Sequence, residues 1–256
     1  MCTLIVLDRV LPGLPLVAAS NRDEFYSRPA AAPARVEPQE DDIPAFVAPQ
    51  DLEAGGTWMG LNARGLFVGL TNRRTPAPQK NRRSRGLLVT EALRRPNAGA
   101  VAQDMRQGLE GTYNPFHLLY TDGRQTFLTR LDERGAETRA LEPGIHVVCN
   151  RDPADPSSSK VRNIQKAVAQ IDLDAPFTRV FDGLAGVLAQ HGAGDPLEHT
   201  CVHTLEYGTR SSAILALGEE RWRYWHAEGP PCRAKFRNLT RLLDDLRRRS
   251  VRKERT

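Results

Sequence analysis

Thr3-Leu4-Ile5-Val6-Leu7-Asp8-Arg9-Val10, then Pro12-Gly13, then Leu16-Val17-Ala18-Ala19-Ser20-Asn21-Arg22-Asp23-Glu24 opens the chain. An apolar, β-branched run is broken by Pro-Gly and resumes, so the segment reads as a β-hairpin. The second strand stops in four consecutive polar residues. Immediately ahead of the first stands Met1-Cys2. Cysteine is small enough for aminopeptidase removal of Met1 to be expected, which would leave Cys2 as the first residue. One residue would then carry a thiol of pKa about 8.5 and an α-amine of about 7.7–8.0. An amine poised near neutrality can take the thiol's proton and later return it to a leaving group, supplying nucleophile and base together.

Outward from the hairpin, Arg28 to Pro49 is rich in Pro and Ala with an acidic patch at Glu40, Asp41 and Asp42, and reads as a long irregular excursion of the lid or binding-loop kind. Gly55 to Asn62 leads through Ala63-Arg64-Gly65 into Leu66 to Thr71, a second hairpin. Ser84 to Arg94 and Asn97 to Leu109 carry helical spacing, with Ser84 and Asn97 as N-caps. Phe116 to Tyr120, Gln125 to Leu131 and Ile145 to Cys149 read as strands, the first two joined by a hairpin at Asp122-Gly123. Lys160 to Ile171 and Phe177 to His191 look helical. Cys201 to Glu206, Ser211 to Leu217 and Trp222 to His226 look like closing strands, before a last helix from Arg237 to Arg249. Blocks of strands and blocks of helices, without βαβ alternation, predict antiparallel sheets faced by helices in an α+β layered sandwich. The expected organisation is one domain over 1–256 with a basic C-terminal helix and tail over about 237–256.

Composition is that of a globular chain, 40% hydrophobic and 26% charged. The first apolar stretch has no basic run before it and is interrupted by Asp8 and Arg9, so a signal peptide is not expected. No window offers about twenty consecutive apolar residues, so no membrane span and a cytoplasmic protein are expected. Cys2, Cys149, Cys201 and Cys232 are scattered without C-x-x-C spacing and read as thiols. The net charge of +5 concentrates in six basic residues from Arg73 to Arg85 and in the tail, which read as solvated segments, and no nucleic-acid partner is expected. His199-x-Cys201-x-His203 would put three metal donors on one strand face. Zinc sites usually draw ligands from several elements, so packed core is the preferred reading and no metal is expected. Trp58, Trp222, Tyr224 and Trp225 read as core or pocket wall, and Gly55-Gly56 as a turn.

Met1-Cys2, Asn21-Arg22-Asp23-Glu24, Gly55-Gly56-Thr57-Trp58-Met59-Gly60, Thr71-Asn72 and Tyr207-Gly208-Thr209-Arg210-Ser211-Ser212 together resemble the NRDE family, which includes the transport and Golgi organisation protein 2 group. That family is in turn similar to the cysteine N-terminal-nucleophile (Ntn) hydrolases, with the penicillin V acylases and bile salt hydrolases. The resemblance implies a four-layer αββα sandwich. It implies Cys2 as nucleophile, Asp23 as the carboxylate orienting amine and thiol, Asn72 and Asn150 as supports of the amine or oxyanion, and Arg210 as the cation that lowers the thiol's pKa. In the amide hydrolases the corresponding arginine and aspartate are separated by two intervening residues, whereas Arg22 and Asp23 are adjacent. If the strand persists, Asn21 and Asp23 share one face and Arg22 and Glu24 the other, which favours Asp23 over Arg22 as a site residue.

The expected function is an N-terminal-cysteine hydrolase or acyltransferase acting on an amide or thioester acyl bond, with no cofactor required. Asn21, Arg22, Trp58, Arg73 and Arg74 are expected to help bind the small-molecule acyl substrate, the arginines by receiving an anionic group. The alternative implied by the resemblance is a carrier of haem or of acyl-CoA and lipid, using the same pocket without turnover.

Overall fold

A computed structural model of the chain describes residues 2–38, 40, 42–73, 75, 78–109, 111–151 and 159–253, with backbone alone for 249–253. In chain order the elements are β1 (Cys2–Leu11), β2 (Leu14–Phe25), β3 (Ala30–Val36), β4 (Phe46–Asp51), β5 (Met59–Asn62), β6 (Phe67–Asn72), α1 (Arg85–Leu93), α2 (Ala98–Met105), β7 (Phe116–Thr121), β8 (Thr126–Asp132), β9 (Gly135–Leu141) and β10 (Gly144–Val148). Then follow α3 (Ser159–Val168), α4 (Phe177–Leu188), β11 (Tyr207–Leu217), β12 (Trp222–Glu228), β13 (Arg237–Asn238) and α5 (Thr240–Lys253). They form two compact units, Met1–Arg28 with Pro143–Leu239 and Pro29–Glu142 with Thr240–Thr256.

The first unit is a six-stranded antiparallel sheet in the order β10-β1-β2-β11-β12-β13, with α3 and α4 on one face. The opening hairpin is as read, with Gly13 in a left-handed conformation at φ 69° and a bulge between Asp8 and Leu11. Ile5, Leu7, Val17, Ala19, Val147, Ile214 and Ala216 face the helices. Each helix answers with one apolar stripe: Val180, Leu184, Val187 and Leu188 on α4, and Val161, Ile164 and Val168 on α3. Such i, i+4, i+7 spacing is what a 3.6-residue repeat turns toward a sheet. Burying one leucine such as Leu184 stabilises the unit by about 2 kcal/mol. Lys160 lies fully buried on the α3 stripe.

The second unit is a seven-stranded antiparallel sheet, β3-β4-β5-β6-β7-β8-β9, packed by α1, α2 and α5. Ser84 and Asn97 cap α1 and α2 as expected, Ser84 Oγ accepting from the Gly86 amide and Asn97 Oδ1 from the Ala100 amide. Gly56 is more than a turn residue. A Cβ there would come within 2.5 Å of the Gly86 carbonyl oxygen and within 2.2 Å of its carbon, so two glycines let α1 meet the backbone ahead of β5. Asn62 ties the other end of α1 to the sheet: its Nδ2 donates to the Leu93 and Arg95 carbonyls, and its Oδ1 accepts from the Arg64 and Leu66 amides.

Four expectations need correction. Arg28 to Pro49 is not an irregular excursion but largely two strands, β3 and β4. Gly135–Leu141 adds a strand, β9, with no apolar alternation to announce it. Cys201 to Glu206 is not a strand: it is a folded loop closed by a bridge between His203 and Gly208. Arg237 and Asn238, expected in the last helix, form β13, and α5 begins at Thr240.

Candidate active site

Cys2 begins β1, half-buried, on an interior strand of the first unit's sheet. On one side its register partner is Arg22 of β2. On the other, continuing the antiparallel register beyond Leu4↔Val148 puts Asn150, just past β10 and only 6% exposed, at the level of Cys2. Residues directly opposite on neighbouring antiparallel strands project to the same face, so Cys2 and Arg22 share a face. Burial pushes the Cys2 thiol up from its ordinary value; the amino-terminal charge, the Arg22 guanidinium and a hydrogen bond from the Asp23 backbone pull it back, and the Asp23 carboxylate adds to the rise.

The alternation read for the tetrapeptide holds, because β2 persists to Phe25. Cys2 lies on the Arg22 face of that alternation, while the Asp23 carboxylate and backbone also act on the thiol. Asp23 and Asn21 continue the helix-facing series Val17, Ala19. Asp23 is buried, with its Oδ1 accepting from Thr209 Oγ1 at 2.7 Å and its Oδ2 3.6 Å from Lys160 Nζ. Burial raises the Asp23 carboxyl's pKa, opposed mainly by the Lys160 cation. Sequence reading missed Lys160, although a lysine inside the apolar stripe of α3 was the available signal.

Asn21, expected to bind substrate, makes its hydrogen bonds within the unit. Its Nδ2 donates to the carbonyls of Leu188 and Thr200, both at 2.9 Å, and its Oδ1 accepts from Ser212 Oγ at 2.6 Å. It fastens the end of α4 to the sheet. Arg210 sits in a bulge between Thr209 and Ser211, which turns its side chain to Tyr26: Nη1 donates to the Tyr26 carbonyl and the guanidinium lies over the Tyr26 ring. Arg22 is a cation whose field lowers the Cys2 thiol, beside the amino-terminal charge.

The remaining expected residues belong to the second unit. Asn72 ends β6, half-buried, opposite Phe116 of β7. Trp58, also half-buried, directly precedes β5, and its carbonyl accepts from the Leu70 amide. Arg73 already faces Asp132, 3.5 Å away, and His117, 3.4 Å away. Arg82 Nη1 donates to the Tyr113 carbonyl, Arg85 Nη1 to the Pro115 carbonyl, and Arg83 pairs with Glu91, so these cations of the basic segment are engaged within the unit. Arg74 lies outside the described residues.

The histidine–cysteine run also assembles differently from its sequence pattern. With no strand over Cys201–Glu206, His199 does not join Cys201 and His203. Their partners are His191, just beyond α4, and Cys232, after β12, and the four donor atoms lie within 4.8 Å of one another.

The family model of Transport and Golgi organisation 2 matches residues 1–228. The chain belongs to the Transport and Golgi organisation 2 family. Relatives include the Transport and Golgi organization protein 2 homolog of Bos taurus, 35% identical over 42% of this chain and 38% of that protein. The Mus musculus homolog is 33% identical over 53% of this chain and 50% of that protein. The aligned region thus spans half or less of these relatives' length. Among solved structures, this family member is similar to a mutant of the conjugated bile acid hydrolase of Clostridium perfringens, with TM-score 0.59, 11% identity and coverage of 94% and 93% of the two chains. It is also similar to penicillin V acylase of Agrobacterium tumefaciens, with TM-score 0.57, 10% identity and coverage of 94% and 86%. The Caenorhabditis elegans N-acylethanolamine-hydrolyzing acid amidase ortholog gives TM-score 0.56, 10% identity and coverage of 84% and 92%. This Transport and Golgi organisation 2 family chain therefore has the α+β, Ntn-hydrolase-like fold expected from its sequence. Among the described residues, no helix is long and apolar enough to cross a membrane.

Proposed function

We propose that the chain, once Met1 is removed, is a cysteine hydrolase or acyltransferase that cleaves an amide or thioester acyl bond. The observation that carries this reading is Cys2, a half-buried residue flanked by a buried arginine, Arg22, and at the level of Asn150. The Cys2 α-amine takes the thiol proton, and the thiolate, steadied by Arg22, attacks the acyl carbon. Asn150 is the candidate amide donor for the oxyanion. Collapse breaks the C–N or C–S bond as the α-ammonium returns the proton to the leaving amine or thiol, leaving an acyl-Cys2 thioester. Water completes hydrolysis; an acceptor amine or thiol completes transfer. Asp23, turned to the helix face, acts as a positioning residue through its backbone amide, and Arg22 replaces Arg210 as the activating cation.

The second reading, a carrier of haem or acyl-CoA without turnover, draws support from one feature. The carboxylate expected to orient the amine also faces the buried Lys160 cation. Were haem the cargo, Cys2 is the residue whose thiolate would hold its iron. Intact mass after incubation with acyl-CoAs and N-acyl amino acids, with Cys2→Ala as control, tests the proposal. Loss of Met1 and an acyl adduct confined to the unsubstituted protein are expected. Retained Met1, or no adduct and no product with any acyl donor, would refute turnover and leave the carrier reading.

A further inference from the structure

His191, Cys201, His203 and Cys232 come from three separate places in the first unit: the exit of α4, the loop before β11 and the loop after β12. The distances among their donors are those of a coordination shell. Cys201 Sγ lies 3.6 Å from Cys232 Sγ and 3.5 Å from His203 Nε2, and His203 Nε2 lies 3.2 Å from Cys232 Sγ. A tetrahedron with Zn–S of about 2.3 Å and Zn–N of about 2.0 Å has edges of about 3.8 Å between sulfurs and about 3.5 Å between sulfur and nitrogen. The fourth donor, on His191, completes the set within 4.8 Å, its ring 5.1 Å from that of His203.

Local backbone structure holds the donors there. The Cys201 amide donates to the Gln190 carbonyl, which locks the loop to the residue before His191. The turn at Pro230, whose carbonyl accepts from the Arg233 and Ala234 amides, presents Cys232.

We propose that these four side chains form a structural zinc site. Two thiolates and two neutral imidazoles give a borderline-soft, four-coordinate set matched to Zn²⁺, and all four positions come from the protein, which marks a structural and not a catalytic centre. Binding releases the two thiol protons to solvent and leaves the site electrically neutral. The metal cross-links three loops, and the middle one continues into Tyr207 and Thr209. Val202, between two ligands, exchanges hydrogen bonds with Thr209, its amide donating to Oγ1 and its carbonyl accepting from the Thr209 amide. Thr209 is the residue that holds the Asp23 carboxylate. The zinc therefore stiffens the support of the Cys2 site from outside it, whether or not that site turns over.

The test is elemental analysis of the full chain, purified on a tag without histidines under reducing conditions. About one zinc per chain is expected, falling to less than about a tenth in Cys232→Ser and His203→Ala and unchanged in Cys149→Ala. Because a ligand variant can fail to fold, the chelator-stripped wild type is also titrated with Co²⁺, which should give tetrahedral d–d bands and a thiolate-to-cobalt charge-transfer band at one equivalent. No zinc as purified together with no Co²⁺ uptake would overturn the proposal. So would a non-reducing peptide map that links Cys201 to Cys232.

Discussion

Replacing Lys160 by Met keeps the side chain's apolar stem and removes its charge from beside Asp23. The two charges are 3.6 Å apart and both are buried. At an effective dielectric constant of about 20, Coulomb's law gives about 5 kcal/mol for that separation, and breaking a buried pair from one side costs about 3–5 kcal/mol. The loss depends on pH in a defined direction. Burial already holds the Asp23 carboxyl above its ordinary range, with Lys160 the main opposing influence, so Lys160→Met raises it further. A carboxyl whose folded pKa is raised is harmless below its unfolded pKa of about 3.9 and destabilising as pH rises through the folded value. Urea unfolding at pH 8 should therefore show a loss of about 3–5 kcal/mol, shrinking as the pH falls to 5 and Asp23 takes a proton. Adding Asp23→Asn should restore most of the loss at pH 8, because no buried charge remains. A Lys160→Met protein as stable as wild type at pH 8, or one whose deficit grows in acid, would refute the pairing.

Burial lowers the His226 pKa to about 4, and its Nδ1 is buried without a hydrogen-bond partner. The unfolded chain binds the proton first, so as pH falls from 7 to 5 this residue should remove about 2 kcal/mol of stability, a slope absent in His226→Leu; identical urea midpoints against pH for the two proteins would reject it. Thr209→Val should cost about 3 kcal/mol by stripping Asp23 Oδ1 of its donor and the Val202 amide of its acceptor, while Thr209→Ser keeps both; equal losses in calorimetry would reject the hydroxyl's role. Gly55 and Gly56 separate two glycine requirements. Gly55→Ala, at φ 77° in open space, should cost about 1 kcal/mol, whereas Gly56→Ala should cost more than about 2 because the Gly86 backbone cannot yield. Equal thermal shifts would contradict the close approach.

The parts of the fold legible in the sequence are those with local chemistry behind them: the opening hairpin, the helices capped by Ser84 and Asn97, and the hairpin at Asp122-Gly123. What was not legible has specific causes. β3 is an edge strand, and its Pro33 falls in a register shift between Ala31 and Ala34, where a missing amide is tolerated. Read locally, its prolines and alanines spell a loop. β9, the opposite edge, is held by seven register pairs to β8 and carries little apolar surface, so hydrophobic periodicity had nothing to detect. Alternation along β2 was readable, but which of its faces Cys2 joins depends on register between strands, which pairs Cys2 with Arg22. The four zinc donors span His191 to Cys232, with only two of them two residues apart, so no spacing rule reaches them.

The two sequence segments that first marked the chain are halves of one structure. β11 lies beside β2, and the second segment's residues hold the first at successive positions. Tyr207 donates its hydroxyl to the Asp23 carbonyl, Thr209 bonds the Asp23 carboxylate, Arg210 bonds the Tyr26 carbonyl just past the tetrapeptide, and Ser212 donates to Asn21. Gly208 is required where it stands, because a Cβ there would come within 2.3 Å of the Tyr26 hydroxyl and 2.6 Å of the Val202 carbonyl oxygen. The bulge at Arg210 lets Thr209 stand opposite Asp23 while Ser211 stands opposite Arg22, the partner of Cys2. Asn21, Asp23, Thr209 and Ser212 therefore form a helix-side buttress, and Arg22 is the residue of the tetrapeptide that reaches the Cys2 face. It follows that substitutions in the buttress should act first on stability and on the precision of the thiol's placement, while Arg22 substitutions should act on thiol reactivity. Alkylation of Cys2 by iodoacetamide as a function of pH separates the two: Arg22→Leu should move the midpoint upward, since the thiolate loses its cation, and Ser212→Ala should leave the midpoint in place.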